Sequence, residues 1–280
     1  MSSVSAMRIE GTSSSAQSRA PNVIEVRNLE KSYPGSGGRS VRILQDISFD
    51  VAKGEFIVLT GQSGCGKTTL LRILMGLVEA SSGTVMVSGK QVRGCDSKRA
   101  MVFQSSQLLP WRTTLHNVEL GLETQGVPKA ERRARAERYL EMVGLSAAAH
   151  HRPDQLSGGM RQRVGIARAL AVEPDVLLMD EPFGALDAHT RESLQNELLT
   201  LHAEMGKTIV FVTHDLDEAV LLADRVIVLS PLGQIGAIID VPLERPRLEP
   251  ELLRTRKAFV ETRYEIWKTM KQLEGLRRPA

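Results

Sequence analysis

Apolar positions along this chain recur with two different periods, and the places where one gives way to the other divide it. Residues 23–31 (VIEVRNLEK) alternate apolar and polar as a half-buried strand does, and 41–51 set Ile43, Ile47, Phe49 and Val51 on one side of a second strand. Tyr33-Pro34-Gly35 with Gly37-Gly38 predicts the turn between them. After a tight turn at Lys53-Gly54, Phe56–Leu59 is a short apolar strand that feeds a Gly-rich turn and a helix over 67–77. Residues 83–92 read as a strand pair and Ala100–Phe103 as a further strand. From about 105 to 170 the period becomes helical, with a turn at Leu109-Pro110-Trp111 and helices starting near Thr114, Lys129 and Ser157. Short apolar strands return at Val176–Met179, Thr208–Val212 and Arg225–Leu229, with helices over 188–205 and 215–223 between them. From Glu251 a last helix carries Leu252/Leu253, Phe259/Val260, Ile266/Trp267 and Leu273 at seven-residue spacing, and Gly275 ends it.

This alternation predicts an α/β fold with a mostly parallel sheet, an antiparallel β edge, an inserted α-helical subdomain and a C-terminal amphipathic docking helix. The corresponding boundaries are 22–104 with 172–240 for the core, 105–171 for the helical insertion and 241–280 for the tail. Residues 1–21 are rich in Ser and Ala and lack the apolar segment of a signal peptide, which predicts a disordered leader.

Composition narrows the function classes. Of the 280 residues, 42% are hydrophobic and 25% charged, as in ordinary soluble globular proteins, and no apolar run reaches the ~20 residues that cross a bilayer. Such a chain cannot form a channel by itself. The net charge of +3 is too small to argue for nucleic acid. The charge is uneven, however: residues 251–280 hold eight Lys or Arg against four Asp or Glu, which fits either a solvated helix face or a partner-facing tail. The two cysteines, Cys65 and Cys95, make a disulfide scaffold improbable and point to a reducing cytosol. ERRARAER (131–138) reads as a salt-bridged helix face, and His150-His151 lacks the spacing of a metal site.

Candidate chemistry begins at residues 57–70, IVLTGQSGCGKTTL. They fit G-x-x-x-x-G-K-[ST], with Gly61, Gln62, Ser63, Gly64, Cys65, Gly66, Lys67, Thr68 and Thr69 between a strand and a helix. Glycines let consecutive backbone N–H groups turn inward toward a dense anion, and the helix N-terminus adds positive potential. Lys67 then supplies a point charge to the β- and γ-phosphates of a triphosphate, and Thr68 offers a hydroxyl to Mg²⁺. Val176–Glu181 is a buried strand ending in paired carboxylates, which places Asp180 to hold Mg²⁺ and Glu181 to face an attacking water. Leu156-Ser157-Gly158-Gly159-Met160 precedes a clear helix. Ser157 there is equally suited to an N-cap and to a second anion site. Spacing alone leaves open whether the two anion sites face one nucleotide or one each. Thr213-His214-Asp215 ends another strand, at the edge where phosphates are expected.

Together these motifs resemble the ATP-binding subunit of an ABC transporter over roughly residues 23–240, in the family's order. Gly61–Thr69 match the Walker A loop, Gln104 the Q-loop, Leu156–Gln162 the signature, Val176–Glu181 the Walker B strand, Ala185-Leu186-Asp187 the D-loop and His214 the switch histidine. The resemblance implies a P-loop NTPase core and two subunits paired head to tail. Ser157, Gly158 and Gly159 of one copy would complete the ATP site of the other. It further implies Glu181 as the group that polarises water, His214 on the γ-phosphate, Gln104 linking Mg²⁺ to the helical insertion, Asp187 at the nucleotide and Tyr33 stacked on adenine. Met160 departs from the common Gln of the signature, beyond the anion-binding atoms. QLLPWRTTLHNVELGL, LSGGMRQR and VPLERPR resemble the ATPases of nitrate, sulfonate and taurine importers. The implied setting is the cytoplasmic face of the inner membrane, with two transmembrane permease subunits and, indirectly, a periplasmic or lipoprotein solute-binding protein. The alternative is a non-transport ATPase of the same superfamily, in DNA repair or translation. The repair proteins separate phosphate loop and signature by long coiled coils, whereas Gly61 and Leu156 lie fewer than a hundred residues apart here, and only one cassette is present. The Asn-Lys-x-Asp motif of small GTPases is missing from the sequence.

Overall fold

The computed structural model describes residues 20–35, 40–247 and 249–276. The expected leader, apart from Ala20 and Pro21, and the Gly37-Gly38 turn lie outside these residues. Strands β1 (Asn22–Pro34) and β2 (Ser40–Ala52) form an antiparallel pair, as alternation predicts. Segment β3 (Phe56–Gly61) runs into helix α1 (Lys67–Met75), and β4 (Ser82–Val87) with β5 (Lys90–Gln91) joins the first pair in the order β2-β1-β4-β5. The second sheet holds β3, β6 (Arg99–Val102), β7 (Val176–Asp180), β8 (Thr208–Val212), β9 (Arg225–Leu229) and β10 (Ile235–Asp240), ordered β10-β9-β3-β8-β7-β6. All its neighbours are parallel except β10, which is antiparallel to β9.

The parallel strands read as unbroken apolar runs because both faces of their sheet are covered. Side chains alternate between faces with period two. Phe56, Val58, Leu177, Met179, Ile209 and Phe211 therefore enter one core, while Ile57, Leu59, Val176, Leu178, Val210 and Val212 enter the other. Helix α1 and the antiparallel sheet close the second core. Helices α2 (Thr114–Thr124), α3 (Lys129–Met142) and α4 (Gly158–Ala171) pack on one another and extend the first core. Helices α5 (Ala188–Met205) and α6 (Leu216–Leu222) continue it. In α3, Arg133 pairs with Glu137 at 2.9 Å and Arg135 with Glu131 at 2.6 Å, the salt-bridged face expected of that stretch.

Three details differ from the sequence pattern. In β2 Leu44 is buried and Ile43 only half-buried, the reverse of the expected phase. Asn28 and Asp46 adopt left-handed backbone, with φ of 47° and 48°, and Asn28 Nδ2 donates to Asp46 Oδ1 at 2.9 Å. These bulges shift the register between Leu29↔Ile47 and Lys31↔Leu44, which re-aims every residue on one side of them. The sequence pattern does not signal strand β10, because Gly236 interrupts it. Leu273 of the tail packs where a Cβ of Gly236 would lie. The tail is two helices, α7 (Pro250–Thr255) and α8 (Lys257–Glu274), parted by the extended Arg256. Only one member of each expected apolar pair is buried: Leu253, Phe259 and Ile266 enter the first core, whereas Leu252, Val260 and Trp267 face outward.

Helix α8 lies against α6, β9 and β10, so its inner residues belong to the main core. Ile266→Ala is expected to lower the unfolding free energy by about 2–5 kcal/mol, and Trp267→Ala by less than about 1 kcal/mol, in denaturant titration. A second buried group makes stability depend on pH. His202 of α5 is buried; its Nε2 donates to Gly54 O at 3.0 Å and its ring meets the edge of Phe56 at 5.3 Å. Burial first, and then the nearby Arg245, lower its pKa to about 4. The unfolded chain, near 6.5, therefore binds the proton more readily than the folded one. Stability is full above pH 6.5 and falls by about 3 kcal/mol as the pH drops toward 4. Urea melts at pH 7, 5.5 and 4 should show this loss, and His202→Phe should flatten it.

Candidate functional site

Parallel register decides where the chemistry collects. Leu59 lies beside Val212, and Val212 beside Asp180, so β3, β8 and β7 end along one edge of the sheet. The Gly-rich loop follows β3 there, Asp180 and Glu181 end β7, and His214 follows β8. In open α/β sheets this carboxyl edge is where ligands bind.

Within the loop, Gly61 has φ 145° and a Cβ there would sit 2.5 Å from Leu229 O. Gly66 has φ 107°, N-caps α1, and would place a Cβ 2.6 Å from Leu44 Cδ2. Only glycine fits either position. No side chain caps α1, which leaves its first N–H groups for an anion. Lys67 is buried, and its Nζ donates to Gly61 O at 2.7 Å and Gln62 O at 3.1 Å. Ser63, Gly64, Gly66, Lys67, Thr68 and Thr69 line one groove, together with Glu181 and Ile43. Gly61, Gln62 and Cys65 of the loop do not line it; Cys65 is 1% exposed, with its Sγ 4.0 Å from Lys67 Nζ.

The paired carboxylates take unlike environments. Thr68 Oγ1 donates to Asp180 Oδ1 at 3.1 Å. Burial raises the Asp180 pKa above its ordinary value, and the neighbouring Glu181 pushes the same way; the Thr68 hydrogen bond, Arg72 and Lys67 oppose this. Glu181 stands in left-handed backbone, φ 45°, which costs a residue with a Cβ about 1–2 kcal/mol. Two hydrogen bonds hold it there: its N–H donates to Val212 O at 3.0 Å, and its carbonyl accepts from Gly184 N at 3.1 Å. The turn aims its carboxylate at His214, with Oε2 3.2 Å from Nδ1. Gln104 Nε2 comes close as well, since it and Glu181 Oε2 both lie within 4 Å of the Cβ position of Gly184.

The second glycine turn stands apart. Ser157 is the N-cap of α4, accepting from Met160 N at 3.2 Å. Ser157 and Gly158 are exposed, while Gly159 is buried with no room for a Cβ against the Thr190 side chain of α5. None of the three lines that groove. Asp187 caps α5 through Thr190 N at 2.9 Å, a bond that also lowers its pKa. Tyr33 lies at the end of β1, half-exposed, with Lys31 Nζ 4.7 Å from its ring centre, and it too is outside the groove. The fold thus gathers Lys67, Thr68, Gln104, Asp180, Glu181 and His214, and leaves Tyr33, Ser157, Gly158, Gly159 and Asp187 elsewhere. Two residues named in the sequence take roles their pattern does not signal. Ile43 lines the groove because the bulge turns it away from the core. Gln162, buried in α4, donates to Phe103 O at 3.3 Å and so ties the second turn's helix to the residue before Gln104; a single Gln in a helix carries no signal for that.

The chain matches a family model described as ABC transporter over residues 44–184. It is 49% identical over 249 residues to an uncharacterized ABC transporter ATP-binding protein of Methanocaldococcus jannaschii, covering 89% of this chain and 91% of the relative. It is 47% identical to a taurine import ATP-binding protein of Yersinia pseudotuberculosis serotype I, covering 91% of this chain and all of that one. A bicarbonate transport ATP-binding protein of Synechococcus elongatus is 45% identical over 87% of this chain, which spans only 37% of that longer relative. Among solved structures, a dimeric post-hydrolysis ATP-binding cassette bound to ADP and Pi superposes with a TM-score of 0.70 at 35% identity. The match covers 79% of this chain and 100% of that one.

The two thiols differ in access, Cys95 being exposed and Cys65 buried behind the loop. Native alkylation followed by intact-mass measurement should modify Cys95 alone, Cys95→Ser should abolish the labelling, and denaturant should expose Cys65.

Proposed function

The chain belongs to the ABC transporter family as the ATP-binding, ATP-hydrolysing subunit of an importer, and from that premise we propose how its residues divide the work. The hydrogen bond from Thr68 to Asp180 carries the reading, because it joins the phosphate loop to the carboxylate pair across 112 positions of chain. The amides of Gly61–Thr69 cradle the triphosphate. Lys67 exchanges the neutral Gly61 and Gln62 carbonyls for the anionic β- and γ-phosphates, a stronger charge-assisted pairing. Glu181 accepts a proton from a water as its oxygen bonds to the γ-phosphorus and the bridging bond to ADP breaks. His214 stays beside Glu181 and donates to the γ-phosphate.

The donors at the loop also fit a hard divalent cation. Thr68 and Asp180 offer a hydroxyl and a carboxylate 3.1 Å apart. No cluster of three or more His, Cys, Asp or Glu occurs among the described residues, in keeping with an ion that takes most of its ligands from phosphate and water. Thr68, Asp180 and Gln104 would hold Mg²⁺, which when bound neutralises phosphate charge. A cation there would also relieve the cost of ionising the buried Asp180 carboxyl.

Ser157, Gly158 and Gly159 sit outside the groove of their own chain, which supports a head-to-tail dimer in which they reach the γ-phosphate held by a second copy. The post-hydrolysis cassette with ADP and Pi is dimeric. Asp187, next to the same Thr190, and Tyr33, which we assign to adenine, complete that shared site. We take 105–171 as the helical subdomain whose Gln104–Trp111 approach transmits closure to two permease subunits at the cytoplasmic face of the membrane. No described helix is long and apolar enough to cross one. Relatives named for taurine import and bicarbonate transport support a small anionic or zwitterionic cargo, delivered by a separate binding protein. They also weigh against a role in DNA repair or translation.

Glu181→Gln should keep ATP affinity within about twofold and lower turnover by about 10²–10⁴-fold, trapping a dimer on size-exclusion chromatography with Mg-ATP. Full ATPase activity in that variant would remove the assigned base. Reconstitution with permease and binding protein, followed by ATPase assays with taurine, bicarbonate, nitrate and a sulfonate, identifies the cargo as the solute that stimulates.

A further inference from the structure

His214 owes little of its position to its own side chain, which is 66% exposed. Its place is set by the residues on either side. Thr213 Oγ1 accepts from Asp215 N at 3.0 Å, which closes a small ring over His214. The same hydroxyl donates to Glu218 Oε2 at 2.6 Å. Glu218 is a carboxylate with only 5% exposure, on α6, and its other oxygen accepts from Gln195 Nε2 at 3.1 Å. Gln195, equally buried on α5, accepts through Oε1 from Arg254 Nη2 at 3.0 Å, and Arg254 Nη1 pairs with Glu192 at 2.8 Å. Arg191 flanks the line, 3.6 Å from Asp215 and 4.0 Å from Glu218. A buried carboxylate is costly unless its hydrogen bonds are fully made. Thr213 and Gln195 supply one such bond to each oxygen of Glu218.

The far end of α6 is fixed as well. Arg247, buried in VPLERPR, donates to the carbonyls of Val220, Leu221 and Leu243, and Arg245 donates to Leu222 O and Asp224. The helix that begins beside His214 is thus held at its C-terminal end by the segment leading into the tail. It is held in its first turn by Glu218.

We propose that Glu218 is a positioning residue for hydrolysis: anchored by Gln195, it fixes Thr213 and so His214 against Glu181, and Arg254 of the tail sets how firmly it does so. The proposal makes the tail a modulator of the switch histidine, reached through side chains on three helices. It rests on the assignment of Glu181 and His214 above, and its test is separable from theirs.

The test uses the full chain with Arg254→Ala, Gln195→Leu and Thr213→Val, each alone and combined with His214→Ala. Single-turnover ATP hydrolysis with protein in excess should slow about three- to tenfold for each variant in the native background, with ATP affinity within about twofold. In the His214→Ala background the same changes should cost nothing further, and Arg254→Lys and Thr213→Ser should recover most of the rate. In histidine-labelled protein, the His214 imidazole resonance should broaden or shift with Arg254→Ala while those of the other histidines hold still. Equal losses in both backgrounds, or an unmoved His214 resonance, would overturn the proposal. If Gln195→Leu fails to fold, the Arg254 and Thr213 pairs decide alone. If His214→Ala hydrolyses ATP normally while the resonance still moves with Arg254→Ala, the assignment of His214 fails and the positioning line stands.

Discussion

The chemistry of this protein depends on one geometric constraint, the shared direction of β3, β8 and β7. Three strands that start far apart in sequence end side by side, Leu59 by Val212 by Asp180, so whatever follows each of them arrives at a common edge. Adjacent strands lie about 4.8 Å apart, which puts the phosphate loop and the carboxylate pair about 10 Å apart across β8. That span suits a side chain reaching from each, and Thr68 meets Asp180 there. An antiparallel β7 would have sent Asp180 and Glu181 to the opposite edge. The cover on both faces, helices on one side and α1 with the antiparallel sheet on the other, is what allows the parallel strands to exist.

Strain and desolvation concentrate at that edge and are tolerated because neighbouring groups fix them. Glu181 keeps a left-handed backbone between Val212 O and Gly184 N, and Asp180 keeps a buried carboxyl against Thr68. Lys67 keeps its buried ammonium on the Gly61 and Gln62 carbonyls. Such arrangements cost free energy in the folded chain and persist only because their neighbours fix them. The second glycine turn takes no part within its own chain. Gly159 is committed to Thr190, leaving Ser157 and Gly158 on the outside, where a second molecule can meet them.

The tail belongs to this machine more closely than an appended docking helix would. Ile266 and Phe259 share a core with the strands, and Leu273 occupies the space that Gly236 leaves on β10. Arg247 holds α6 directly, and Arg254 reaches it through Gln195 of α5. Together they make the helix after His214 part of a rigid assembly, while Leu252, Val260, Tyr264 and Trp267 stay at the surface.

By itself, the sequence determined most of the elements, the fold class and the identity of the candidate groups. Those follow from local rules: period two or three and a half, glycines where only glycine fits, a lysine at a helix start, carboxylates after an apolar run. The α5 expectation of 188–205 coincides with Ala188–Met205 for this reason. Tertiary structure decided what depends on non-local pairing. The bulge at Asn28 and Asp46 turned Ile43 from core to groove, Leu273 completed the strand that Gly236 had hidden, and each apolar pair of the tail was split into an inner and an outer residue. Only folding could show that Lys67, Asp180, Glu181 and His214 share an edge that Ser157 does not reach, or that Glu218 and Gln195 stand between the tail and His214. A carboxylate in a helix looks alike in sequence whether it faces water or a buried threonine; the difference lies in neighbours brought from elsewhere in the chain.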